Sequence, residues 1–202
     1  MGEDGRVDVE TPRGPARVDL TKPKGRSRCI LALGHGAGGD VTAADLVAIR
    51  DAAVQAGVTV ALITQPYRVA GKRAAAPAAQ LDEAWLAVMK HVKTKQPLIV
   101  GGRSSGARVA CRTAKESGAS GVIALAFPSH PPGRPEKTRD DEIPTGVPTL
   151  VVNGDRDPFG VPAVPNGVDL VVLAGERHDL RRDPTAVAGA VLDWLRSRGW
   201  AS

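Results

Sequence analysis

The chain has 202 residues, with 27 Lys and Arg against 22 Asp and Glu and a formal net charge of +5, a length that suits one domain. Hydrophobic residues at 42% and charged residues at 24% are ordinary for a soluble globular chain and exclude disorder and a coiled coil. Aromatics at 3% leave no platforms for stacking single-stranded nucleic acid, so the core must be built from Ala, Val, Leu and Ile.

Residues 1–15 are expected to form a flexible or edge N-terminal segment, and residues 16–20, ARVDL, an antiparallel edge strand. The apolar run from Cys29 to Leu33 ends in Gly34 and predicts a strand. Residues 43–56 then place Leu46, Ile49, Ala53 and Val54 on one face of a helix closed by Gly57. The next strand is VTVALI at 58–63, followed by a helix over 80–95 with Leu81, Ala84, Trp85, Val88 and Val92 at helical spacing before Pro97. A strand at 98–101, a helix at 104–117 ended by Gly118, and strands at 121–127, 149–153 and 168–173 continue the alternation. Asp183 and Pro184 read as N-cap and first position of a last helix, with Val187, Val191, Leu192 and Leu195 on one face and Gly199 past its end.

Strands that are apolar throughout need helices on both faces. The expected fold class is therefore α/β, a three-layer α/β/α sandwich with a mostly parallel sheet. The Pro-rich, charged stretch SHPPGRPEKTRDDEIPTG between Phe127 and Val147 is about 20 residues long, more than a turn and less than a separate lid domain.

No run approaches the roughly 18 consecutive apolar residues of a membrane span, and the mixed charges of MGEDGRVDVETPRGP do not resemble a secretory leader. The expectation is a cytoplasmic protein without membrane association. Cys29 and Cys111 lie in apolar segments at a spacing that fits no metal pattern, so reduced buried thiols are expected and no metal or organic cofactor is implied. The pI near 9.6 invites a nucleic-acid reading, since residues 90–115 hold Lys90, Lys93, Lys95, Arg103, Arg108, Arg112 and Lys115 without an acidic residue. No helix-turn-helix, zinc-finger or RNP-type pattern accompanies them, so a solvated basic face is expected and nucleic-acid binding is disfavoured.

Gly102-Arg103-Ser104-Ser105-Gly106 fits G-x-S-x-G where a strand must turn sharply into a helix. Such a turn projects the Ser104 hydroxyl at the C-terminal edge of the sheet, needs flanking glycines for close packing, and aims the helix amides at a developing oxyanion. Neither G-x-x-x-x-G-K-[ST] nor G-x-G-x-x-G occurs at this turn, which argues against a phosphate loop. Asp157, in the loop NGDRDP after the strand at 149–153, is the preferred acid for orienting a histidine, with Asp155 assigned a turn hydrogen bond. His178, after the next strand, completes the chain order Ser, Asp, His as general base. Gly34-His35-Gly36-Ala37-Gly38-Gly39 follows the first central strand; the backbone N–H groups of Ala37 and Ser105 are the expected oxyanion donors, and His35 is expected to anchor the loop. Residues 129–145 are expected to overhang the site, with His130, Arg134 and Arg139 as substrate contacts or solvated side chains, and Arg103 either attracting a carboxylate or forming an ion pair.

HGAGGD at 35–40, GGRSSGARVA at 101–110, FPSHPPGRPEKTR at 127–139 and NGDRDPFG at 153–160 resemble the α/β-hydrolase family. The likeness is to its compact, lidless dienelactone-hydrolase-like branch, related to the testis-expressed 30 and NSL-complex subunit 3 proteins. The resemblance covers residues 16–198 and implies Ser104 as nucleophile, Asp157 as acid and His178 as base. It departs from dienelactone hydrolases proper, which commonly use Cys as nucleophile. The expected function is a serine hydrolase cleaving an ester or related acyl bond of a small molecule through an acyl-enzyme. The alternative is a hydrolase-fold binding or scaffold protein with little turnover.

Overall fold

Extended segments can satisfy their backbone polar groups only by pairing side by side, and eight strands among the described residues do so in one sheet. The computed structural model describes residues 4–144 and 146–202. Strands β1 (Asp4–Val9) and β2 (Ala16–Thr21) form an antiparallel hairpin, and β2 pairs antiparallel with β4 (Thr59–Thr64). From there β3 (Ile30–Gly34), β5 (Leu98–Arg103), β6 (Gly121–Leu125), β7 (Thr149–Gly154) and β8 (Val168–Leu173) are parallel, giving the order β1-β2-β4-β3-β5-β6-β7-β8. Helices α1 (Ala44–Gln55) and α5 (Pro184–Ser197) cover one face, and α3 (Ala78–Val92) and α4 (Ser105–Ser117) the other. A four-residue helix, α2 (Pro66–Val69), follows β4 and is too short to leave a periodic signal in the sequence.

The central strands lack polar alternation because both faces are dry. In β3, Ile30 and Ala32 join the core under α3 and α4, while Leu31 and Leu33 join the core under α1 and α5. β8 departs from that rule. Its VDLVVL sequence reads like a central strand, yet it is the sheet edge: Val171 and Leu173 pack toward α5, while Leu170 and Val172 are 37% and 46% exposed. Other boundaries shift for local reasons. Helix α3 ends at Val92 because Lys93 is already extended, and β6 ends at Leu125 because Ala126 takes φ 44°. Asp183 accepts from the Ala186 N–H at 3.0 Å and caps α5, with Pro184 in its first turn.

Cys29 and Cys111 are free and buried, and burial pushes both thiols up to about 12, which leaves them unreactive. The basic stretch at 90–115 is not one solvated face. Arg112 makes a bidentate pair with Asp82 at 2.7 and 2.8 Å and reaches Glu142 at 3.1 Å, while Arg108 grips Glu142 through Nε at 2.8 Å and through Nη2. Burial opposes ionisation of Glu142, but the two guanidinium groups outweigh it and hold the carboxyl below its usual range. A lowered folded-state value means that Glu142 stabilises the fold above its unfolded value of 4.5 and loses that contribution as pH falls through the lower folded one. Glu142→Gln should therefore cost about 2 kcal/mol at neutral pH. Urea unfolding at successive pH values should show the gap from wild type closing on acidification.

Candidate active site

The turn from β5 into α4 is held by contacts that only glycine permits. A Cβ on Gly106 would stand 2.6 Å from the Gly34 carbonyl oxygen, and one on Gly102 would stand 2.6 Å from the same atom. The end of β3 thus presses directly on the turn. Ser104 sits between the two glycines at φ 54° and ψ −109°, with its N–H donated to the Leu125 carbonyl at 2.9 Å. That backbone costs on the order of 1–3 kcal/mol and persists only because its surroundings fix it. Its effect is to lift the Ser104 Oγ off the sheet edge at the N-terminus of α4.

Two loops meet this hydroxyl. His178, after β8, places Nε2 2.8 Å from Ser104 Oγ and Nδ1 2.8 Å from Asp157 Oδ2. An ionised Asp157 assigns the proton to Nδ1, which leaves Nε2 to accept from Ser104. The Asp157 side chain is wholly buried, and its other oxygen accepts from the Phe159 N–H at 2.8 Å. Buried Asn153, the penultimate residue of β7, bridges the Phe127 and Gly160 carbonyls at 3.2 and 3.3 Å and approaches Asp157 Oδ2 at 3.5 Å. The Phe159 ring packs against the imidazole at 4.3 Å between centroids. Asp155 points elsewhere, accepting from the Gly175 N–H at 2.7 Å. Glu176 fixes the histidine loop to the start of α5 by accepting from the Asp183 and Arg182 amides at 2.6 and 3.4 Å.

The glycine loop after β3 closes the other side. Buried His35 accepts from the Gln65 N–H at Nε2, 3.1 Å, and so donates from Nδ1 to the Gly36 carbonyl at 2.8 Å. Burial lowers its pKa, in keeping with a neutral, structural imidazole. The Tyr67 hydroxyl donates to the Ala37 carbonyl at 2.8 Å and fixes that peptide. Among the described residues, neither the Ala37 N–H nor the Ser105 N–H donates a hydrogen bond, and Ser105 opens α4.

The 128–144 excursion is tied down. Ser129 donates to Asp140 at 2.6 Å, and Asp140 accepts from the Ala163 N–H at 3.0 Å. His130 lies against Gly160, beside Phe159, whereas Arg134 is exposed in a turn and Arg139 lies beside Arg108 and Arg112. Arg103 turns to Asp45 at 3.5 Å. Among the described residues no cluster of three His, Cys, Asp or Glu side chains is placed to hold a metal ion. No helix among them is long and apolar enough to cross a membrane.

The sheet order, the strained serine at the β5–α4 turn and the acid and histidine loops after β7 and β8 define a class of fold. The chain belongs to the alpha/beta hydrolase domain family, whose profile matches residues 27–186. Its fold is similar to XC6422 from Xanthomonas campestris, described as an α/β serine hydrolase without lid, with TM-score 0.76, 21% identity, and 97% of this chain and 95% of that one covered. It is also similar to a dienelactone hydrolase from Anabaena variabilis, with TM-score 0.76, 17% identity and coverages of 97% and 98%. Est1E from Butyrivibrio proteoclasticus gives TM-score 0.77, 17% identity and coverages of 96% and 98%. A search of curated proteins finds no match.

Sequence reasoning missed Asn153, Gln65, Tyr67, Phe159 and Glu176. The one usable signal was position: Gln65-Pro66-Tyr67 and Asn153 lie at C-terminal strand ends, the edge that carries Ser104.

Proposed function

We propose that this chain is a single-domain serine hydrolase that cleaves an ester or related acyl bond of a small molecule. His178 Nε2 takes the proton of Ser104 Oγ as that oxygen attacks the acyl carbon, and Asp157 stabilises the imidazolium that forms. The Ala37 and Ser105 amides are free to receive the oxyanion of the tetrahedral intermediate, and the α4 N-terminus adds its positive end. His178 then returns the proton to the leaving group. Water, activated by the same imidazole, releases the acid from the acyl-enzyme. The observation that carries this reading is the continuous Asp157–His178–Ser104 hydrogen-bonded line, with 2.8 Å at each link.

Kinship within the family to the testis-expressed 30 and NSL-complex subunit 3 type rests on the four motifs alone. Est1E has been seen with ferulic acid bound, which makes aryl-acid esters a first substrate screen. The test is intact mass after incubation with a fluorophosphonate. One adduct is expected on the native chain and none on Ser104→Ala, with His178→Ala labelled far more slowly. A folded native chain that takes no adduct sinks the hydrolase reading and leaves a binding or scaffold role.

A further inference from the structure

Asp45 is the second residue of α1, where an acidic side chain ordinarily faces solvent and complements the helix dipole. Here it is wholly buried. The charged groups facing it are Arg103, whose Nε is 3.5 Å from Oδ2, and Asp179, the neighbour of His178. Among the described residues neither Asp45 oxygen nor Arg103 Nε makes a hydrogen bond, so the two are linked by charge attraction alone, and burial pushes the carboxyl up to about 6 against the pull of Arg103. A carboxylate kept dry beside a single cation weakens the fold at neutral pH. Its location suggests what is gained.

Arg103 immediately precedes Ser104, and its side chain runs between Asp45 and the glycine loop. Its Nη1 lies 3.8 and 3.7 Å from where a Cβ would stand on Gly36 and Gly39. Gly36 in turn packs over the Arg103–Ser104 peptide, 3.6 Å from the Ser104 Cβ by the same measure. The guanidinium is thus the floor of the loop that carries the Ala37 amide.

We propose that Asp45 and Arg103 form a positioning pair: Asp45 holds the Arg103 guanidinium against Gly36–Gly39, and loss of either partner loosens that loop and slows acyl transfer at Ser104. The kinetic half rests on the hydrolase reading above; the structural half does not. Below about pH 6 Asp45 takes a proton and releases Arg103, so the loop loosens on acidification independently of His178.

The test compares wild type, Asp45→Asn, Arg103→Lys and Arg103→Met by amide hydrogen exchange over residues 36–39 and by the rate of fluorophosphonate labelling across pH. Exchange is expected to rise in Asp45→Asn and Arg103→Met, with labelling about 10- to 100-fold slower and partial rescue by Arg103→Lys. In wild type, the protection of the 36–39 amides, taken as exchange relative to the intrinsic rate at each pH, should fall as pH falls through about 6, and Asp45→Asn should lack that step. A carboxyl whose folded value is raised subtracts stability above that value, so Asp45→Asn should melt no lower than wild type at pH 8. That separates positioning from damage to the fold, and Asp45→Asn and Arg103→Lys carry the test should Arg103→Met unfold. Unchanged exchange at 36–39 in the folded variants overturns the proposal, whatever the labelling. Raised exchange in a chain whose wild type takes no label upholds the loop anchor and sinks the hydrolase reading instead.

Discussion

Asp157→Asn should lower kcat/KM by about 10⁴-fold while the protein stays folded. The Phe159 N–H donates to Asp157 Oδ1 and His178 Nδ1 faces Oδ2. An asparagine here keeps its carbonyl oxygen on the Phe159 amide and therefore presents its NH₂ to His178. Two donors cannot face each other, so the imidazole moves its proton to Nε2. It then has no lone pair for the Ser104 hydroxyl, and the base is lost although every heavy atom stays in place. Asp155→Asn is the matched control. Asp155 is exposed and, among the described residues, its side chain accepts from the Gly175 amide alone, so activity should change by no more than roughly twofold. Steady-state kinetics on an activated ester read both variants; equal losses would mean that Asp157 does not set the tautomer.

The parts of this molecule that were legible from sequence share one property: a local pattern sufficed. Runs such as Ile30–Gly34 and Gly121–Leu125 are apolar because helices cover both faces, so composition alone marks them as central strands. The meeting of Ser104, Asp157 and His178 was legible because the strained turn at Ser104 demands glycine on each side and because Asp157 and His178 each follow a strand at the same sheet edge. What stayed hidden depends on partners far along the chain. VDLVVL at 168–173 has the composition of a buried strand, and only its place at the end of the sheet exposes Leu170 and Val172. Asn153 looks like the polar end of an apolar run, yet it is fully buried and joins the Phe127, Asp157 and Gly160 segments. Asp45 reads as a solvated first-turn acid until Arg103, 58 positions later, is brought beside it.

Gly154→Ala should cost about 3 kcal/mol of stability, or about 10 °C in Tm for a chain of this size. Gly154 ends β7, and a Cβ there would stand 2.2 Å from the Glu176 carbonyl oxygen, 2.4 Å from its carbon and 2.8 Å from its Cβ. These are backbone or near-backbone atoms, so no side-chain rotation relieves the clash. The 174–180 loop must move, but it is held by the Arg156 N–H on the Glu176 carbonyl at 3.0 Å and by the Glu176 carboxylate on Asp183 and Arg182. Moving it draws His178, two residues on, away from Asp157, three residues beyond the substitution on the opposing loop. Turnover should therefore fall on the order of 100-fold with little change in KM, since the chemistry needs the aligned hydrogen bonds and substrate binding does not. Gly189→Ala, the same chemical change in α5 where an added Cβ meets nothing within 4 Å, should raise stability by about 0.5–1 kcal/mol through helix propensity and the unfolded chain. Thermal melts of the two variants should move in opposite directions; a Gly154→Ala protein as stable and active as wild type would mean that the two loops are not packed as tightly as their backbone contacts require.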